Sequence, residues 1–314
     1  MSTHQKDEYQ TFCQKEKSIP IFSKPWYLDA VCGKEGWDVL MVKKGNEIAV
    51  TMPIEVRKKY GLQLPRLPLF VKYWGPYFTK NFKSEKQQQK LMRELISLFP
   101  KFDLFEQYFH PSVTNCLPFH WENFEIIPRD TFIIEPLNDL EKTFANISTD
   151  YRNNKIPKAK SLVNITTDRT LEEFYNLQLK TFSRNKFPIP FSFDFLKKYD
   201  KALKENNARQ IFFAVDEKSQ IHSAVYIIWD EETVYFLMAG DDPDLRNSGA
   251  GILLTWHAIE YAKEVLRKNR FDFLGSMIEP ITRVRRNFGA TQVPYFHIKK
   301  FNSKLVRLLF ELKG

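Results

Sequence analysis

With 314 residues and 43% apolar side chains, the chain can bury a sizeable core. That excludes a disordered polymer and suits two domains of ordinary size. The net charge of +9 sits almost wholly in one half, since residues 1–150 hold 20 Lys/Arg against 19 Asp/Glu and residues 151–314 the remaining 27 against 19. A basic half attracts anions such as nucleotide phosphates, RNA or acidic headgroups, or else simply solubilises the surface. No apolar run approaches the roughly 18 residues of a membrane span, because Ile211–Val215, Tyr226–Trp229 and Val234–Ala239 are each cut short by charge or glycine. The polar start Met1–Gln10 has no signal-peptide core, so a soluble cytoplasmic protein is expected. Cys13, Cys32 and Cys116 are odd in number and widely spaced, fitting neither a disulfide framework nor a metal knuckle; no metal is expected.

In chain order, strands Trp37–Lys43 and Glu47–Glu55 flank the turn pair Gly45-Asn46 as a hairpin. Ser84 and Gln87 form a capping box for a helix carrying Leu91, Met92, Leu95 and Phe99 on one face, which feeds strand Phe102–Gln107. The second half opens with strand Leu162–Thr166. A capping box, Thr170-Leu171-Glu172-Glu173, then starts a helix turning Leu171, Phe174, Tyr175 and Phe182 inward, and Ser192 caps another with Phe195, Leu196, Tyr199 and Leu203 in one stripe. Strands Arg209–Val215, Ile221–Trp229 and Thr233–Ala239 follow as a meander with polar turns. Helix Ile252–Leu266, strand Phe271–Gly275, a short helix near Glu279–Asn287 and a strand around Val293–Lys299 complete the order.

Between the last meander strand and its helix lies Arg246-Asn247-Ser248-Gly249-Ala250-Gly251. Such a loop points backbone N–H groups toward the positive end of a helix dipole, and the two glycines let a phosphate approach the main chain. It is a candidate diphosphate seat. The first half repeats the plan in a worn form: Lys101-Phe102-Asp103-Leu104-Phe105 follows its helix as Arg270-Phe271-Asp272-Phe273-Leu274 follows the later one, but Trp74–Ser84 holds a single Gly75-Pro76 turn and no glycine cradle.

This order, with Arg-x-x-Gly-x-Gly between the fourth strand and third helix, resembles the GNAT acyltransferase fold, whose loop holds the pyrophosphate of acyl-coenzyme A. Two such units resemble the FemAB branch, which transfers acyl or aminoacyl groups to amines, including those of peptidoglycan precursors. Tyr151–Ala159 is similar to that family's basic stretch, Thr181–Phe187 to its Thr-x-x-Arg acceptor segment, and Phe271–Met277 with Pro280-Ile281 and Arg286–Ala290 to its closing signature. The expected architecture is α/β (α+β): two tandem GNAT-like domains, each a mixed, mostly antiparallel sheet flanked by helices, a degenerate one over 1–134 and a donor-binding one over 135–314. The long helical arm that some family members use for tRNA contact is missing.

Acyl transfer to an amine needs a held thioester or ester, a stabilised oxyanion and a proton acceptor. Met238 and Ala239, at the splayed end of their strand, can lend a backbone N–H to the acyl carbonyl, while Arg246, Asn247, Ser248, Gly249, Ala250 and Gly251 anchor the donor phosphates. Three side chains are candidates for the chemistry: Tyr235, which lies on the opposite sheet face from Val234 and Phe236; Asp272, a carboxylate in an apolar strand whose echo at Asp103 points equally to a structural hydrogen bond; and Ser276, placed to protonate a departing thiolate. Arg184, Arg283, Arg285 and Arg286 are candidate forks for an anionic acceptor.

The implied function is N-acyl transfer from acyl-coenzyme A, such as acetyl-coenzyme A, to an amine of an anionic small-molecule, sugar-peptide or lipid-linked acceptor, in cell-wall or envelope precursor synthesis, with peripheral membrane contact open. A FemAB-type ligase using aminoacyl-tRNA is the near alternative. A third reading is a non-catalytic RNA- or glycan-binding module stacking on Trp74, Tyr77 and Trp256, although Trp256 lies within an amphipathic helix.

Overall fold

The computed structural model describes residues 3–56, 58–59, 61–82 and 84–312. Contacts divide the chain into two compact units: Met1–Asp130 with Pro294–Gly314, and Thr131–Val293.

In the first unit, α1 (Thr3–Lys15) and α2 (Pro25–Cys32) precede the hairpin of β1 (Trp37–Lys44) and β2 (Glu47–Glu55), paired antiparallel from Trp37 opposite Glu55 to Lys44 opposite Glu47. The short strands β3 (Lys58–Lys59) and β4 (Leu62–Gln63) form a ribbon, and β5 (Tyr77–Phe78) adds to β2. Helix α3 (Glu85–Ser97) starts at Ser84, whose hydroxyl accepts the Gln87 N–H, and it buries Leu91, Met92 and Leu95. Then come β6 (Leu104–Tyr108), α4 (Leu117–Trp121) and β7 (Glu125–Ile134), which runs on into the second unit. The core gathers Leu40, Met52, Leu95, Phe105, Phe119 and Ile298. Each such side chain contributes about 1.5–3 kcal/mol on leaving water. Cys116 is in this core, where burial pushes its thiol up to about 12, and burial does the same to Cys13; neither is a nucleophile at neutral pH.

The second unit begins with α5 (Leu140–Ala145) and a π-helical turn, Tyr151–Lys155, that leads into α6 (Ile156–Leu162) and β8 (Asn164–Thr166). The basic Tyr151–Ala159 stretch is therefore helical, and it takes Leu162 from the expected strand. Helix α7 (Leu171–Arg184) starts at the predicted capping box, with both reciprocal bonds formed between Thr170 and Glu173. Helix α8 (Phe193–Glu205) starts at Ser192 and buries Leu196, Tyr199 and Leu203. The strands β9 (Arg209–Val215), β10 (Ile221–Trp229) and β11 (Thr233–Asp241) form the meander; after it come α9 (Ala250–Glu264), β12 (Arg270–Asp272), α10 (Glu279–Asn287), β13 (Thr291–Phe301) and α11 (Lys304–Glu311).

Sheet order in the second unit is β7-β12-β11-β10-β9-β8, antiparallel except for the β11–β12 pair. Those two strands run parallel because α9 is the crossover that returns the chain to the same end of the sheet. Leu253, Leu254, Ala258, Ile259 and Ala262 of α9 are buried in the core with Phe212, Val225 and Phe271.

The structure departs from the sequence reading in further places. Strand β12 stops at Asp272 rather than Gly275, because Leu274 (φ 57°) and Gly275 (φ 60°) turn the chain left-handed. Strand β11 runs two residues further, to Asp241. The segment from Pro294 onward, expected within 135–314, groups with the first unit because His297–Phe301 of β13 pair antiparallel with Leu104–Tyr108 of β6.

Candidate active site

Strands β11 and β12 share a register for three residues only, Thr233 with Arg270, Val234 with Phe271 and Tyr235 with Asp272. Beyond that point β12 ends and β11 continues for six residues, Phe236 to Asp241. A β-bulge falls there as well: Tyr226 pairs with Met238 and Ile227 with Phe236, so Leu237 is the extra residue. The sheet opens along one side of β11.

The direction of the backbone groups follows from neighbouring bonds. Asp242 donates its N–H to His222 O on β10, whereas Asp241 donates away from β10, to Thr181 Oγ1 of α7 at 3.2 Å. Strand alternation then sends the Ala239 N–H off the open edge, in the same direction as Asp241. Ala239 is exposed and Met238 half-buried. Of the two residues expected to hold an acyl carbonyl, Ala239 has the correctly directed donor.

The turn after β12 faces the same region and is tightly specified. Asp272 Oδ1 accepts the Thr131 hydroxyl at 2.6 Å and the Leu274 N–H at 2.8 Å, and Thr131 Oγ1 in turn accepts the Gly275 N–H at 2.8 Å. Arg285 of α10 donates to Phe273 O and lies over the Phe273 ring. These bonds hold Leu274 at a positive φ, which costs a non-glycine residue about 1–3 kcal/mol. Ser276 follows, half-buried, its hydroxyl accepting the Ile278 N–H.

Two candidates for catalysis are placed elsewhere by this geometry. Tyr235 is 1% exposed and donates to Asp230 Oδ2 at 2.9 Å, while Asp230 Oδ1 accepts the Glu232 and Thr233 N–H groups. Tyr235 thus locks the β10–β11 turn and does not line a cleft; burial, and then the Asp230 charge, push its phenol well above the usual range. Asp272 is also 1% exposed. Burial raises its carboxyl above the ordinary value against the opposing Thr131 and Leu274 donors and the Arg270 and Arg285 charges. It acts by shaping the turn. Only Ser276 of the three is open to solvent.

The arginines divide in the same way. Arg285 is engaged by Phe273 and is not a free fork, which corrects its reading as an acceptor ligand. Arg286 donates to Gln292 and lies over the Phe132 ring, and Arg283 pairs with Glu279 at 3.4 Å on the exposed face of α10. Arg184, in the last turn of α7, has an enclosed Nη1 with no hydrogen bond.

The glycine loop differs from a fully open cradle. A 3-10 turn, Arg246–Ser248, leads to Gly249 at φ 79°. A Cβ on Gly249 would stand 3.2 Å from Lys155 O, and one on Gly251 2.8 Å from Asp241 Oδ1. Gly249 is favoured by its left-handed backbone, and at Gly251 a Cβ would have to displace the Asp241 carboxylate, so both glycines have reasons besides approach of a phosphate. Ser248, Gly249 and Ala250 already donate their N–H groups, to Leu245 O, Arg246 O and Ser248 Oγ, while the Gly251 N–H makes no bond among the described residues. Lys158 of α6 donates to Asn247 O at 2.9 Å and brings positive charge to the loop, where Arg246 and Asn247 are exposed. Among the described residues no cluster of His, Cys, Asp or Glu could hold a metal. No helix among them is long and apolar enough to cross a membrane.

Parallel strands that part over a bulge, followed by a glycine loop and a crossover helix, are the arrangement of the GNAT fold. Residues 152–279, which include β11, the glycine loop, α9 and the turn after β12, match the family model of the acetyltransferase (GNAT) domain. The whole chain has the tandem, FemAB-like form of that fold. It is similar to the crystal structure of FemX (TM-score 0.67, 12% identity, 90% of this chain and 95% of that one). It is similar also to a tandem GNAT protein from the clavulanic acid biosynthesis pathway (TM-score 0.55, 10% identity, 85% and 83%) and to L-PGS from Bacillus licheniformis (TM-score 0.54, 11% identity, 96% and 94%). No curated protein matches the sequence.

Proposed function

We propose that the chain moves an acyl group from acyl-coenzyme A to an amine of an anionic acceptor, in the synthesis of a cell-wall or envelope precursor. The observation that carries this is the open edge of β11 beyond Tyr235, with the Ala239 N–H directed off it. There the donor carbonyl binds, and the developing oxyanion receives a fixed backbone dipole that needs no reorganisation. The Gly251 N–H, the α9 dipole, Arg246 and Lys158 attract the donor diphosphate. Ser276 relays to the leaving thiolate the proton that the attacking amine gives up as the new amide bond forms, and Arg184, with an unsatisfied guanidinium nitrogen, supplies the charge that draws the anionic acceptor.

The first half, 1–134, reads as a decayed copy. Asp103, the echo of Asp272, likewise accepts a main-chain N–H, from Gln63 at 2.9 Å. Among its described residues Trp74–Ser84 forms β5 and no glycine loop.

One observation favours aminoacyl-tRNA as the donor instead. The Asp241 carboxylate beside Gly251 repels a phosphate at the start of α9 and suits the ammonium of an aminoacyl group. Ribonuclease added to an assay in cell extract separates the two. Activity that persists with acetyl-coenzyme A is the expected result; loss of activity on ribonuclease treatment assigns the donor to tRNA.

A further inference from the structure

Alternation along β11 sorts its side chains onto the two faces of the sheet. Val234 and Phe236, opposite Trp229 and Ile227, share one face; past the bulge, Ala239 and Asp241, opposite Val225 and Ser223, return to it. This is the face that α9 covers, since Val234, Ile227 and Val225 share a core with Leu254 and Ile259, and the Asp241 carboxylate stands beside Gly251. Gly251, Asp241, Ala239 and Phe236 thus follow one another along a single face.

Position alone would bury Phe236 completely, as it does Val234 and Ile227, both 0% exposed. Phe236 is only half-buried, because the ladder to β12 ends one residue earlier, where Tyr235 stands opposite Asp272. The β12 side of its ring is covered by Phe271 at 6.3 Å and Phe273 at 5.8 Å, and the β10 side by Ile227. What stays open is the direction of the exposed Ala239. The rings behind Phe236 are fixed: Phe271 and Phe273 meet edge to face at 5.1 Å, Phe273 packs on Phe288 at 6.0 Å, and its N–H donates to Phe132 O on β7.

We propose that Phe236, backed by Phe273, is the floor of the acyl pocket and restricts the transferred group to a short chain. This rests on the reading of the Ala239 N–H as the donor to the acyl carbonyl. With the diphosphate drawn to Gly251 and the carbonyl held at Ala239, the acyl chain continues along the same face and meets Phe236 three residues further on. Three residues span about 10 Å of strand, and the bulge and the phenyl ring take up part of that length. Acetyl and butyryl groups fit the remainder, whereas an octanoyl chain has to displace a ring that cannot retreat.

Calorimetry of free coenzyme A, acetyl-coenzyme A and octanoyl-coenzyme A is the test, with the full chain as wild type, Phe236→Ala and Phe236→Leu. Free coenzyme A has no acyl chain, so an unchanged affinity for it shows that a variant keeps its fold and its donor seat. The wild type is expected to bind acetyl-coenzyme A about tenfold or more tightly than octanoyl-coenzyme A. Phe236→Ala is expected to gain about tenfold or more for the octanoyl donor while its acetyl affinity changes by less than about threefold. Phe236→Leu keeps more of the packing and gains less. Equal binding of both acyl donors by the wild type, or an unchanged preference in both variants, overturns the proposal and leaves the acyl-coenzyme A reading in place. A wild type that does not bind even free coenzyme A removes that reading, and the proposal with it.

Discussion

Ala239→Pro is expected to lower kcat about a hundredfold, the usual cost of losing one preorganised oxyanion donor. Proline removes the N–H that points off the open edge of β11. It removes no ladder bond, because the bonds from β11 to β10 belong to the alternate residues, Gly240 and Asp242 among them. Ala239→Val keeps the donor and is the control for bulk. The readout is release of the donor's leaving group under saturating donor, with unfolding by urea followed in parallel. A proline variant that is fully active and stably folded would place the acyl carbonyl elsewhere.

Asp272→Ala is expected to destabilise the fold by about 2–4 kcal/mol, because it strands the Thr131 hydroxyl and the Leu274 N–H in a dry site. Both donors go to a single oxygen, Oδ1, which the amide of Asn reproduces, so Asp272→Asn recovers most of that loss. The pH dependence follows from the raised carboxyl. The folded state binds this proton more tightly than the unfolded one, so the stabilising contribution is complete below the unfolded value of about 3.9 and is lost as pH rises from there through the folded value. Asp272→Asn lacks that slope. Urea unfolding across pH measures both effects. If Asp272→Asn abolished transfer without changing stability, Asp272 would be a proton carrier and not a structural acceptor.

The tertiary role of these groups explains where the sequence was legible. Thr170, Ser192 and Ser84 cap their helices through bonds only three residues away, so short-range spacing announced each helix start. The meander read clearly because β9, β10 and β11 are long, apolar and bounded by polar turns. The turn at Phe273–Gly275 did not, because it is fixed by Thr131, over a hundred positions distant, and by Arg285. For the same reason a buried aspartate and an arginine in a family-like segment read as chemistry when both serve the backbone.

Local pattern also failed at the ends of the chain. Helix α1 is weakly amphipathic and offered no clear start, and α11 is short, with its leucines on the wrong side for core packing. Strand β13 has the composition of either unit, and only its pairing with β6 shows where its later residues belong. The glycine loop was legible as an element but only in part for its reason. Gly249 also meets a left-handed backbone at φ 79°, and a Cβ on Gly251 would crowd the Asp241 carboxylate.

Donor binding is the claim on which the rest stands, and isothermal calorimetry of acetyl-coenzyme A with the purified chain measures it most directly. Saturable binding is predicted for the wild type, tightened in Asp241→Asn as the carboxylate beside Gly251 is neutralised, and lost in the Arg246→Ala/Gly249→Val double variant. No binding at millimolar donor, in the wild type and in Asp241→Asn alike, would contradict an acyl-coenzyme A enzyme.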